Sequence, residues 1–350
     1  MKMRDVFDLQ RFADTNINVQ TTGGNANPYT GATEANSNMA PEMKTFYNTA
    51  LLQNARPELY YLQLAAKRAL PKKHGRTVEF RKFATLPNAT ALTEGVVPDG
   101  KNVSVTNITD SLAQYGMYVA ISDVLDDHAI DDVGLATTEE LAASMGKTQD
   151  ELCRDDAMTG TNVMYCSAGS TPVASRSALT IDSKLTGAMV AKAVTILKKA
   201  NAPKINGKYV AVVHPSVAHD LRQDSAWVEA HKYAAVTEIF NGEIGELHGV
   251  RFVETSQAKV IKDSTCPANG SDRYAVYCTL FVGKDAYGVV DPEGGNAQMI
   301  IKNRGEAGGP LEQFSTMGYK FETNGAVILY QERMLRVESL SSFSADDPAN

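Results

Sequence analysis

The sequence predicts an α+β protein from which one long excursion leaves the folded body. Three observations carry that expectation. Alternating apolar and polar residues at Thr77–Phe83 (TVEFRKF) and at Met117–Ser122 (MYVAIS) read as two strands, expected to pair at Val78–Phe83 and Tyr118–Ile121. The stretch between them, Ala84 to Gly116, holds Gly95, Pro98 and Asp99-Gly100 without helical periodicity, whereas loops in compact domains rarely exceed ~12–15 residues unless they are functional or disordered. After it come one long amphipathic helix and then helix and strand signals in alternation. Appendages of that length point to contacts outside their own globule.

The chain has 350 residues, 43% of them hydrophobic, which is enough for one elaborate domain or for two or three. Its net charge of −7 argues against general polyanion binding. The start, MKMRDVFDLQRF, lacks the apolar core of a signal peptide, and no run approaches a membrane span, so a cytosolic chain is expected. Cys153, Cys166, Cys266 and Cys278 form no Cys-x-x-Cys pair and read as reduced thiols, neither a zinc ribbon nor a disulfide scaffold.

Residues 13–41 are rich in Asn, Thr, Gly and Ala, a composition that cannot offset its ordering entropy by burial, and read as an N-terminal arm. Helical signals follow at Phe46, Ala50 and Leu51, then at Leu59, Leu62, Ala66 and Leu70, with Pro57 between them and Pro71 as a stop. Lys67, Arg68, Lys72, Lys73, Arg76, Arg81 and Lys82 surround the single Glu79. This is either a solvated face or a contact with phosphates or an acidic neighbouring subunit.

Beyond the excursion, Asp123, Asp126, Asp127, Asp131 and Asp132 lack the spacing of a calcium loop and suit helix starts better. Thr137-Thr138-Glu139-Glu140 has the form of a capping box. The stripe Leu141, Ala142, Met145, Leu152 and Cys153 extends that helix to about Met158, and its start could lie a turn or two earlier, at Asp131. Residues 159–184 are rich in Gly, Ser and Thr, mark a domain boundary, and end in a strand-like Ala178–Ile181. Met189, Val190, Ala193, Val194 and Leu197 give a strong amphipathic helix closed by Lys198-Lys199. Asn206-Gly207 turns into the strand Tyr209–Val213, and Pro215 opens a short helix through Leu221. Further strands are expected at Val250–Val253, Tyr274–Val282, Gln298–Ile301 and Met317–Phe321. Ala326–Tyr330 and Met334–Val337 read as one bent strand or two, and Ser339 onward as a tail.

No constellation carries enzyme chemistry. Gly95-Val-Val-Pro-Asp-Gly-Lys101 matches the first seven positions of a phosphate-binding loop, but Asn102 stands where the magnesium-binding hydroxyl belongs and Pro98 removes a cradle amide. His214 and His219 lie about 140° apart on a helix and cannot face one metal. Ser167–Thr171 is no nucleophile elbow, and Asp291 with Glu293 reads as a solvated turn. No catalytic, cofactor-binding or metal-binding residue is assigned.

The order of parts, with Ala91-Leu-Thr-Glu-Gly-Val-Val-Pro98 in the excursion and Tyr209-Val-Ala-Val-Val-His-Pro-Ser216 before a helix ending Asp220-Leu221-Arg222, resembles the major capsid proteins of tailed bacteriophages, the Hong Kong 97-like or Johnson fold. The resemblance runs from about Pro41 to about Ser339. It implies an N-terminal arm with helices (1–76), an extended β-hairpin loop (77–122), a spine helix with part of a peripheral domain (123–182), an axial α/β domain (183–325), and a return strand of the peripheral sheet with a tail (326–350). It also implies a subunit that pairs with copies of itself in hexamers and pentamers around double-stranded DNA. Portal and scaffold or decoration proteins would be its partners, and it would make no sequence-specific or membrane contact. Candidate intersubunit contacts are Arg76, Phe80, Arg81, Phe83, Glu94, Gly95, Val97, Pro98, Asp99 and Lys101. Two other readings stand beside it, a cellular nanocompartment shell of the same fold and a soluble α/β enzyme or ligand-binding protein with a long lid loop.

Overall fold

The computed structural model describes residues 19–20, 25–26, 33–34 and 59–350, apart from 74, 85, 87, 90, 93, 96, 98–99, 129–132, 170, 229–242, 271, 293–297 and 308–310. The expected helix around Phe46 to Leu51 lies outside the described residues. In chain order the elements are β1 (Val19–Gln20), β2 (Asn25–Ala26), β3 (Thr33–Glu34), α1 (Tyr61–Leu64), β4 (Ala66–Leu70), β5 (Thr77–Phe83), β6 (Val105–Ser111) and β7 (Ala113–Ser122). There follow α2 (Asp123–His128), α3 (Val133–Ala157), β8 (Val163–Tyr165), α4 (Gly187–Lys199), β9 (Tyr209–Val213) and α5 (Pro215–Gln223). The rest are β10 (Glu243–Leu247), β11 (Val250–Glu254), β12 (Val260–Ile261), β13 (Ala268–Asn269), β14 (Asp272–Arg273), β15 (Val276–Val282), β16 (Tyr287–Pro292), β17 (Gln298–Lys302), β18 (Phe314–Thr323), β19 (Val327–Ile328) and β20 (Met334–Ser339).

The chain divides into two compact units, one of residues 1–56, 114–146 and 295–322, the other of 57–113, 147–294 and 323–350. The first is built on the sheet β17-β18-β7-β1-β2-β3. Ile121, Leu125 and Val133 form a small core there with Val119 and Met317, and the Ser144 and Tyr319 hydroxyls lie 3.2 Å apart.

The second unit is built on a seven-stranded sheet, β10-β11-β9-β15-β20-β8 with β12 on β15. Its central strands β9 and β15 are buried at every residue, which is why they read as near-continuous apolar runs, broken in β15 only by Thr279. α4 lays Val190, Ala193, Val194 and Leu197 onto this sheet in the stripe its periodicity predicts, and Val217, Ala218 and Leu221 of α5 join the same core. At the Asn206-Gly207 turn both residues take positive φ (49° and 83°), as a tight hairpin turn demands. A smaller sheet, β19-β16-β4, carries the hairpin β5-β6 through the cluster Val78, Phe80, Leu112, Val290 and Val327.

Four expectations need correction. β5 pairs along its whole length with β6, from Thr77↔Ser111 to Phe83↔Val105, and not with Tyr118–Ile121, which belongs to β7 in the other unit. The segment Leu59–Leu70 is one short helix followed by a strand, because Ala66–Leu70 gains a parallel partner in Gly288–Pro292 and tertiary pairing overrides its helical spacing. The long helix starts at Val133, close to the earlier start considered, Asp131, and spans about 37 Å; Thr138 lies inside it and donates its hydroxyl to Gly134 O, so Thr137–Glu140 is no capping box. Arg176–Ala178 is a 3-10 turn, and no strand forms at 178–181. Met334–Ser339 pairs with β15 and with β8, the latter within the stretch 123–182, in the large sheet of the second unit. The residues after it are bound down: Asp220 accepts from the Ser342 amide and hydroxyl, Asp347 from Ser216 and Tyr277, and the Asn350 side chain pairs with Val260 N and Ala258 O.

Candidate functional site

The excursion is a hairpin with a fixed root and an apolar tip. Period-two alternation turns Val78 and Phe80 inward and Thr77, Glu79, Arg81 and Phe83 outward. Phe80 sits against Gly288, where a Cβ would come within 2.9 Å of the ring, so glycine is what admits the aromatic. Leu112 N donates to Arg76 O at 2.9 Å, and the Arg76 guanidinium donates back to Leu112 O at 2.8 Å. Asn324 donates to Asp110 Oδ2 and accepts from Val290 N, both at 2.9 Å. Arg68 donates to Glu79 O and lies over the Phe80 ring, while Lys82 reaches Glu332 at 3.3 Å and lies over Tyr330.

Pairing continues one step past the strands, from Ala84 N to Ser104 O. Beyond it the chain is exposed at every described residue up to Ser104. Val97 is 90% exposed, Leu92 75% and Phe83 59%, and Leu86, Val103 and Val105 are about half exposed. Arg81, Phe83, Val105 and Asn107 line a shallow groove of about 300 Å³ on the outward face of the hairpin. Gly95 takes φ +80° at a turn, a conformation that favours glycine.

Of the expected contact residues, Phe83, Glu94, Gly95, Val97 and Lys101 are gathered on this exposed tip, and Arg81 stands on its outward face near Glu79. Phe80 is the correction: at 5% exposure it belongs to the core of its own chain and is not available to another. Arg76 closes the hairpin root. Pro98 and Asp99 lie outside the described residues. Leu86, Leu92, Val103 and Val105 were missed; their signal is isolated large apolar residues in a segment with no periodicity to bury them.

The other motifs resolve into structural roles. Arg304 binds Asp126 and Asp127 at 3.0 and 2.6 Å, and its hydrogen bond holds the Asp127 carboxyl below the usual range. His214 accepts from Ser216 N as the cap of α5 and packs on Tyr277, and burial lowers its pKa. The four cysteines are free thiols and buried.

Residues 155–304 match the family model described as phage capsid protein. Over that stretch, less than half of its length, the chain is similar to phage capsid proteins. A search of curated proteins found no match. Solved structures carry the likeness further. The capsid of Ralstonia phage GP4 aligns at TM-score 0.65 and 14% identity, covering 89% of this chain and 98% of that one. The capsid of Cyanophage P-SCSP1u aligns at 0.61 and 15%, covering 85% and 93%. That of Helicobacter pylori bacteriophage KHP30 aligns at 0.58 and 12%, covering 85% and 98%. At such identities the alignments speak for the fold, the Hong Kong 97-like fold expected above.

Proposed function

We propose that this chain is a phage capsid protein that forms hexamers and pentamers closing an icosahedral shell around phage double-stranded DNA, with the β5-β6 hairpin as a strap laid on the next copy. The observation that carries the reading is the division within the hairpin. Its root is locked in the subunit's own core by Val78, Phe80 and Leu112, while Phe83, Leu86, Leu92, Val97, Val103 and Val105 stand in solvent. Apolar surface on an extended tip gains nothing until another surface covers it, so the ordering cost is offset only on assembly. Of the basic residues beside the root, Arg68, Arg76 and Lys82 have backbone, carboxylate or ring partners within the subunit. The shell is assembled in the host cytoplasm, and portal, scaffold or decoration proteins are its further partners. Electron microscopy of the purified protein tests the reading: closed uniform particles or six- and five-fold rings are expected, and a protein that stays monomeric or dimeric at high concentration would sink it.

A further inference from the structure

The sheet of the first unit ends in an edge that departs from the usual protection of such strands. β17, Gln298-Met-Ile-Ile-Lys302, pairs with β18 on one side, and no described strand lies on the other. All five of its residues are exposed, Met299 to 39%, Ile300 to 37% and Ile301 to 51%. Edge strands of soluble proteins are commonly shortened, bulged, or given charge or proline in their middle, because free amides and carbonyls beside apolar side chains recruit another strand. Here the only charge is Lys302, at the end, and the ladder to β18 runs without a bulge from Gln298↔Lys320 to Lys302↔Thr316. The apolar residues occupy both faces, so no rotation of the strand within its sheet could bury them all.

We propose that β17 is a homotypic interface, pairing antiparallel with β17 of a second copy across a two-fold axis. A two-fold contact presents the same patch from both sides, so it must be self-complementary. Antiparallel pairing centred on Ile300 meets that condition: Met299 faces Ile301 of the other copy, Ile300 faces itself, and each Lys302 faces Gln298, with no like charges directly opposed. The pairing joins the two sheets into one and gives the apolar side chains on each face of the edge a cross-strand neighbour. Individually the contact is small, which suits a link made many times in a closed particle. It deepens the shell reading and rests on it, since a two-fold contact between copies is what a closed icosahedral particle requires.

The test is Ile300→Cys. Directly opposed Cβ atoms in an antiparallel pair lie about 4.5–5.5 Å apart, close enough for a disulfide with slight adjustment. The native cysteines are buried and do not compete. Under mild oxidation, assembled Ile300→Cys protein should run as a covalent dimer on a non-reducing gel, whereas Leu311→Cys, 73% exposed in the same unit, should stay monomeric. Ile300→Lys and Ile301→Lys supply a second measurement, with an unchanged melting curve and loss of closed particles expected. Wild-type-like particles from both lysine variants, or a monomeric Ile300→Cys, overturn the pairing. So does cross-linking of Ile300→Cys to Val97→Cys on another copy, which would give the edge to a neighbouring hairpin. If wild-type protein forms particles and only the dimer is missing, the pairing fails and the shell reading stands. If no particles form, the shell reading fails, and the pairing is then decided by whether concentrated Ile300→Cys gives the dimer.

Discussion

Phe80 and Phe83 stand three residues apart on one strand and do opposite things. Phe80 fills the space over Gly288, and Phe80→Ala should cost about 3–5 kcal/mol of folding stability, as truncation of a buried aromatic does. Phe83→Ser should leave the melting curve within about 0.5 kcal/mol and reduce particle yield. Equal losses of stability from both would remove the distinction between root and tip. Asp150 makes a second residue-scale prediction. Its Oδ1 accepts from Tyr61 N and Leu62 N at 2.9 and 3.1 Å, while burial pushes the carboxyl up to about 6. The folded state therefore holds a proton that the unfolded chain, with an ordinary carboxyl near 3.9, does not. This favours folding below the unfolded value and is lost as pH rises through about 6. Compared at each pH with Asp150→Asn, wild-type stability should gain about 2 kcal/mol between pH 7 and pH 4, read from paired thermal or urea melts. A difference that does not change with pH would show that the carboxyl titrates normally. The paired comparison matters because Asp155, Asp220 and Asp272, whose hydrogen bonds and cationic neighbours lower their pKa, lose stability over the same range in both proteins.

Single elements differ in how far the sequence alone revealed them, and the reason is where their partners lie. α4 was legible because its stripe depends on its own periodicity, and β9 and β15 because total burial leaves a near-continuous apolar run. β4 was not, since Ala66–Leu70 becomes a strand only through β16, more than two hundred residues away. The hairpin was half legible. Thr77–Phe83 declared itself by alternation, but Val105–Ser111 (VTNITDS) shows weak contrast because none of its residues is fully buried on either face, and the stronger pattern of β7 was mistaken for its partner. β20 also hid a charge cluster. Glu338, fully buried on that strand, takes two bonds from Arg176 at 2.6 and 2.7 Å and lies 3.1 Å from Arg336, whereas sequence position gives no hint of that meeting. Glu338→Ala should cost about 3–5 kcal/mol, because it leaves two largely buried guanidinium groups without their shared carboxylate. Glu338→Gln should cost less, and denaturant melts that rank the two the other way would remove the charge argument.

On the scale of the whole molecule, stability and assembly are assigned to separate stretches, and that separation can be tested by removing one of them. The hairpin is paired as far as Ala84 and Ser104, so residues 85–103 can be replaced by Asn-Gly, the two-residue turn that matches the twist of antiparallel strands. A cut that reaches into β6, as far as Ser111, would instead tear out the strand whose neighbour Leu112 packs with Val78 and Phe80. Loop closure costs about 0.6 kcal/mol for each doubling of length, and this replacement removes slightly more than three doublings, so the shortened subunit should gain up to about 2 kcal/mol. Its melting temperature should therefore be equal to that of the wild type or higher, while electron microscopy shows no closed particles, because the exposed residues Leu86, Leu92, Val97 and Val103 are gone. A less stable variant would mean that the tip folds back onto its own subunit. A stable variant that still closes particles would mean that the shell is held by other surfaces, among them the β17 edge, and that the hairpin is not its strap.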